Sequence, residues 1–99
     1  MTVHTKKDND TTTISVQGRI DTATSRELEA VVNQEINNCT QLIFDFKELD
    51  YISSAGLRIL LGAQKLMSKR GMKVINVNET VNEIFEVTGF SYILDIKRI

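Results

Sequence analysis

Proline is absent from the 99 residues, cysteine occurs once, and neither sign of charge dominates. With no proline, no Ser/Gly-rich linker, no low-complexity tract and no internal repeat, nothing marks a domain boundary. The length suits a single domain with one core over residues 1–99. Cys39, standing alone, excludes an internal disulfide and any multi-cysteine metal site, and it fits a reducing compartment. Every apolar run falls well short of the roughly 18 residues that a membrane span needs. The N-terminal MTVHTKKDND has no apolar stretch after its lysines. A cytoplasmic protein without direct membrane insertion is the expectation. Twelve Lys and Arg against thirteen Asp and Glu leave a net charge of −1, so no global basic field recruits nucleic acid. What remains, 41% hydrophobic and 25% charged residues, is the composition of a folded globular domain whose partners must be recognised locally.

Hydrophobic periodicity supplies the elements. Residues 12–18, TTISVQG, alternate Ile14 and Val16 with polar neighbours, and an Asp8-Asn9-Asp10 turn joins them to a weaker strand at 3–7, which predicts a hairpin. In TSRELEAVVNQEI, Thr24 and Glu27 have capping-box spacing. Leu28, Val31, Val32 and Ile36 follow helical spacing with Glu35 as the polar exception, so a first helix begins near Thr24. LIFDF, 42–46, reads as a strand covered on both faces or most of both. A mostly buried helix runs from Ala55 to about Arg70, ended by Lys69, Arg70 and Gly71. KVINV, 73–77, is a strand; Asn78 caps a third helix with Val81, Ile84 and Phe85 on one face before Gly89 ends it. YILDI, 92–96, closes the chain as a strand or short extended segment. The order β-β-α-β-α-β-α-β gives an α/β fold: a mixed β-sheet with packed α-helices and parallel crossovers.

Hydrolytic and metal chemistry find little support. A Ser-His-Asp arrangement would need His4, the only histidine, on an edge strand, and no GxSxG elbow is present. The five glycines are dispersed and form neither a Walker loop nor a GxGxxG fingerprint. Asp45 and Asp50 lack metal-ligand spacing with His or Cys and read as strand-end and turn residues. Gly62, inside a helix at a cost of about 1 kcal/mol relative to alanine, suggests the close approach of another element or of a partner.

The segment DYISSAGLR, 50–58, sets Ser53 and Ser54 at the mouth of the second helix. Either serine suits an N-cap. Either is also exposed to modification, because a helix N-terminus offers unpaired N–H groups and about half a positive charge to an anion such as phosphate. Asp21 reads as a turn residue ahead of Thr24, and Arg58, four residues after Ser54, as a surface charge within reach of it.

Taken together, GRID at 18–21, a capped amphipathic helix, and LIFDFKELDYISSAGLRILLGAQK at 42–65 resemble the STAS domain of bacterial anti-sigma factor antagonists. The resemblance covers almost the whole chain and is most specific over Tyr51-Ile52-Ser53-Ser54-Ala55-Gly56-Leu57. It implies a binding protein and not an enzyme: an antagonist that binds an anti-sigma factor serine kinase, releases a sigma factor, and is switched off when the kinase phosphorylates it. By that resemblance the phospho-acceptor falls on Ser54, and the partner-binding residues on Asp21, Ser53, Ser54, Gly56 and Arg58. Many members carry aspartate where this chain has Ser53, and often glycine where it has Arg58. A phosphatase acting on Ser54 would reset the switch. No cofactor is implied for the chain itself, since ATP and magnesium belong to the kinase. Two other readings are a STAS regulatory subunit of a membrane transporter complex and a small-ligand or nucleotide-binding sensor domain.

Overall fold

The computed structural model describes Met1–Ile99. Strands β1 (Thr2–Asp8) and β2 (Thr11–Ile20) form the expected antiparallel hairpin. At its tip Asn9 adopts φ 55°, a left-handed conformation that asparagine tolerates better than most residues. Helix α1 (Ser25–Glu35) crosses over to β3 (Gln41–Asp45), which lies parallel to β2. A short β4 (Leu49–Ile52) leads into α2 (Ser54–Leu66), which returns the chain to β5 (Gly71–Val77), parallel to β3. Helix α3 (Glu79–Val87), a 3-10 turn at Phe90–Tyr92 and β6 (Ile96–Arg98) complete the chain. The sheet order is β1-β2-β3-β5-β6, with β4 beside β2.

Burial alternates along the central strands. Ile14 and Val16, Leu42 and Phe44, and Met72 and Val74 are buried, while their neighbours Thr13, Ile43 and Lys73 are only half-buried. β3 is therefore fully covered on one face, not both. The covered face meets Leu28 and Val32 of α1, Leu57, Leu60 and Ala63 of α2, and Val81 and Phe85 of α3 in a single cluster of 22 buried residues. Each large side chain taken fully out of water there contributes about 1.5–3 kcal/mol before conformational entropy is set against it.

Strand β4 is absent from the order read in the sequence. Its four residues sit inside what looks like an acidic turn, and it exists because β2 is long enough to pair twice. Thr11–Ser15 face β3; then Gly18, at φ 100°, shifts the register, and Gly18, Arg19 and Ile20 face Leu49, Tyr51 and Ile52 of β4. Helix α2 ends at Leu66, about a turn before the expected stop. Arg70 lies past the helix and acts as a cap in space: Nη2 donates to Leu66 O at 3.0 Å, and Nη1 to Ile36 O and Cys39 O at 2.8 and 2.9 Å. The last strand also differs from the expected 92–96. Tyr92 lies in the 3-10 turn, 93% exposed, and pairing with β5 starts only at Ile96. Asn78 caps α3 as expected, its Oδ1 accepting the Val81 N–H at 2.8 Å, and Gly89 follows at φ 82°.

Candidate functional site

The α2 N-terminus is pinned to the end of β2. The Ser53 N–H donates to Ile20 O at 2.8 Å, and Ser53 Oγ accepts the Gly56 N–H at 3.4 Å, a long capping bond. Ser53 has the extended backbone of an N-cap, with ψ 175°. The sequence leaves the cap open between two serines; the structure gives it to Ser53. Ser54 becomes the first helical residue, exposed and without a side-chain hydrogen bond. Its hydroxyl is therefore free at the positive end of α2, beside N–H groups that have no helical acceptor.

Gly56 has a packing role. A Cβ at this position would lie 2.6 Å from Ile20 Cγ2 and 2.7 Å from Ile52 Cγ1, so only glycine lets α2 settle this close to β2 and β4. Gly62 gives the opposite result. Nothing lies within 4 Å of a Cβ there, so the expected close approach of another element is not made, and this glycine opens onto the groove between α1 and α2.

At the end of β2, Asp21 and Thr24 satisfy each other. Asp21 Oδ1 accepts the Thr24 N–H at 2.9 Å, and the Asp21 N–H donates to Thr24 Oγ1 at 2.9 Å. The Thr24 hydroxyl proton has two acceptors in reach, Arg19 O at 2.9 Å and Asp21 Oδ1 at 3.1 Å. The reciprocal pair therefore sits three residues earlier than the Thr24/Glu27 box read from the sequence. Thr24 is the N-cap residue, but its side chain caps nothing in α1. These bonds hold the Asp21 carboxyl below its ordinary pKa. The Thr24 N–H contributes most and the Thr24 hydroxyl next; burial opposes them, and the Ala23 N–H and the nearby Arg19 charge add to the lowering. Asp21 is a half-buried, fixed negative charge beside the residues that anchor α2.

Arg58 is exposed one turn after Ser54 and makes no ion pair. With Thr22, Ser25, Arg26 and Ala55 it lines an open groove of about 260 Å³ between the starts of α1 and α2. Asp21, Ser53, Ser54, Gly56 and Arg58 thus share one end of the molecule, where β2 stops and α2 starts. The sequence reading misses a further pair there, Arg19 and Tyr51. The Arg19 guanidinium carbon stands 4.4 Å from the centroid of the Tyr51 ring, a cation–π contact worth roughly 0.5–1 kcal/mol at an exposed site. The pair becomes visible only once β4 is set in register against β2.

His4, Ser15 and Asp45 do line one open groove, on the half-buried side of the sheet, but Ser53 and Ser54 are not part of it. Asp45 Oδ1 there accepts from the Lys47 N–H and Asn76 Nδ2, both at 3.0 Å. No three His, Cys, Asp or Glu side chains converge at metal-ligand spacing.

The STAS domain matches residues 2–98. The chain belongs to the STAS family. The anti-sigma-B factor antagonist of Listeria monocytogenes is 30% identical over an alignment of 97 residues that covers 95% of this chain and 85% of that relative. The crystal structure of an anti-sigma factor antagonist from Mycobacterium paratuberculosis superposes with a TM-score of 0.91 at 21% identity, covering 99% of this chain and 86% of that one. SpoIIAA is similar in both of its forms. The unphosphorylated anti-sigma factor antagonist gives a TM-score of 0.82 at 19% identity, covering 96% of this chain and 87% of that one. The phosphorylated Bacillus protein gives 0.76 at 18%, covering 96% and 90%. These solved structures establish the fold of the STAS domain. None of its helices is long and apolar enough to cross a membrane.

Proposed function

We propose that this STAS domain is an anti-sigma factor antagonist that works by binding, with phosphorylation of Ser54 as its switch. In the unmodified state it engages an anti-sigma factor serine kinase and frees the sigma factor that the kinase holds. The observation that carries this reading is the division of labour between the two serines: Ser53 closes the helix, so the Ser54 hydroxyl stays exposed and unbonded. The relatives named as anti-sigma factor antagonists support the partner class.

The partner contact falls on Asp21, Ser53, Ser54 and Arg58, with Gly56 holding the helix start against the sheet. In the transfer step the Ser54 oxygen attacks the γ-phosphorus of ATP, the bond to ADP breaks, and the serine proton leaves to a base on the kinase; ATP and magnesium are bound by the kinase. The product carries about −1.5 to −2 charges at Ser54. Within the chain that charge faces the positive end of α2 and has Arg58 one turn away, so the fold holds. At an interface the same charge must be desolvated, and it sits near the ionised Asp21, so the kinase is released. A phosphatase restores the binding form.

Isolation of the protein from its host with its bound partners, followed by mass-spectrometric mapping, tests this reading. A serine kinase in the eluate and phosphate on Ser54 are expected. A transporter ATPase as the dominant partner, or a retained small molecule with Ser54 unmodified, would replace it with the transporter or sensor reading.

A further inference from the structure

Arg19 is exposed yet held in place. Its guanidinium stacks on Tyr51, the residue opposite it in the β2–β4 register, and its carbonyl accepts the Thr24 hydroxyl. None of its side-chain N–H groups is engaged within the chain. The ion pairs are Lys7–Glu35 and Lys97–Asp95, and Arg70 is the arginine whose guanidinium donates hydrogen bonds. An arginine held over an aromatic face with its donor fork open is prepared for a planar, bidentate acceptor, because the side-chain entropy of docking is reduced before the partner arrives.

Its surroundings define that acceptor. Arg19 and Tyr51 point away from the core, since the next pair in the ladder, Ile20 and Ile52, is buried. Asp21, two residues along, is ionised, and Ser53, two residues past Tyr51, leads into Ser54. The surface therefore presents a positive fork and a fixed negative charge side by side, continuous with the proposed switch.

Resting on the functional reading above, we infer that the Arg19–Tyr51 pair is part of the kinase-binding surface and receives a carboxylate of the partner protein, with a basic partner side chain opposite Asp21. Arginine and tyrosine are also the residue types over-represented among energetic anchors of interfaces. The unmodified state is the one that uses the pair, so its role is separate from that of Arg58, which faces Ser54 along the helix.

The test titrates the cognate kinase with unphosphorylated protein at low and high salt. Wild type binds. Arg19→Ala binds about tenfold more weakly, a difference of ~1.4 kcal/mol, with a melting curve near wild type. Its affinity also falls less steeply with salt, because one charge pair is gone. Arg19→Lys restores only part of the loss, since an ammonium neither stacks as well nor forms a fork. Tyr51→Leu weakens binding in the wild-type background and has little further effect on Arg19→Ala, as expected for residues acting as a unit. Unchanged affinity for Arg19→Ala overturns the inference while leaving the functional reading intact. Equal weakening by Tyr51→Leu in both backgrounds overturns the pairing. Failure of the wild-type protein itself to bind overturns the functional reading, and the inference with it.

Discussion

Asp21 Oδ1 is taken up by the Thr24 N–H, while the half-buried carboxylate as a whole remains within reach of a partner. Two substitutions separate these roles. Asp21→Asn keeps an oxygen for Thr24 and removes the charge, so it should melt close to wild type at neutral pH and bind the kinase about tenfold more weakly. Asp21→Ala also removes the acceptor and should melt below Asp21→Asn. Full kinase affinity in Asp21→Asn would reduce Asp21 to a turn residue. The pH dependence has a definite sign. The folded-state pKa is depressed, so the folded state prefers the carboxylate. The stability this supplies is present above the ordinary carboxylate pKa and disappears as pH falls through that value to the lower folded one. In acid titrations followed by circular dichroism, the wild-type protein should therefore lose stability more steeply than Asp21→Asn over that window. Asp21 was legible in the sequence as a candidate, but its pairing was not. A box of the form Thr-x-x-Glu is a strong local signal, and only the end of β2 brings the Arg19 carbonyl and Asp21 to the Thr24 hydroxyl first.

Among the elements, α2 shows how far periodicity reaches. Its apolar face and its start are written in the spacing of Leu57, Leu60 and Ala63 after two serines. Its two glycines look alike in sequence and differ in space. Gly56→Ala drives a methyl into Ile20 and Ile52 and should destabilise by about 1–3 kcal/mol, as overpacking does. Gly62→Ala meets nothing and should stabilise by up to about 1 kcal/mol through helix propensity. Chemical denaturation of the two variants checks both signs, and reversed signs would mean that α2 sits elsewhere on the sheet. The elements that escaped the sequence share a cause. β4 and β6 have four and three residues, too few to show a period of two, and Tyr92 and Ile93 are apolar yet exposed. The apolar pattern at the C-terminus therefore begins several residues before the strand itself does.

For the whole molecule, hydrophobic order along the chain was enough to read an α/β fold with an N-terminal hairpin and parallel crossovers, because each helix and each long strand carries its own period. The double pairing of β2 was not legible, since it depends on Gly18 changing the register between two partners. That double pairing is what sets Arg19, Asp21 and Tyr51 beside the serines, so Ser54 could be named as a candidate acceptor from sequence while the Arg19–Tyr51 pair near it could not. We propose that a phosphate on Ser54 changes what the domain binds and not whether it is folded. The most direct measurement compares unmodified and stoichiometrically Ser54-phosphorylated protein, by thermal melting and by titration with the cognate kinase. The phosphorylated form should melt no lower than the unmodified one, with the helix terminus contributing about 0.3–1 kcal/mol in its favour, and should bind at least about tenfold more weakly, ~1.4 kcal/mol. Neither unfolding on phosphorylation nor an unchanged kinase affinity is compatible with a Ser54 switch at the start of α2.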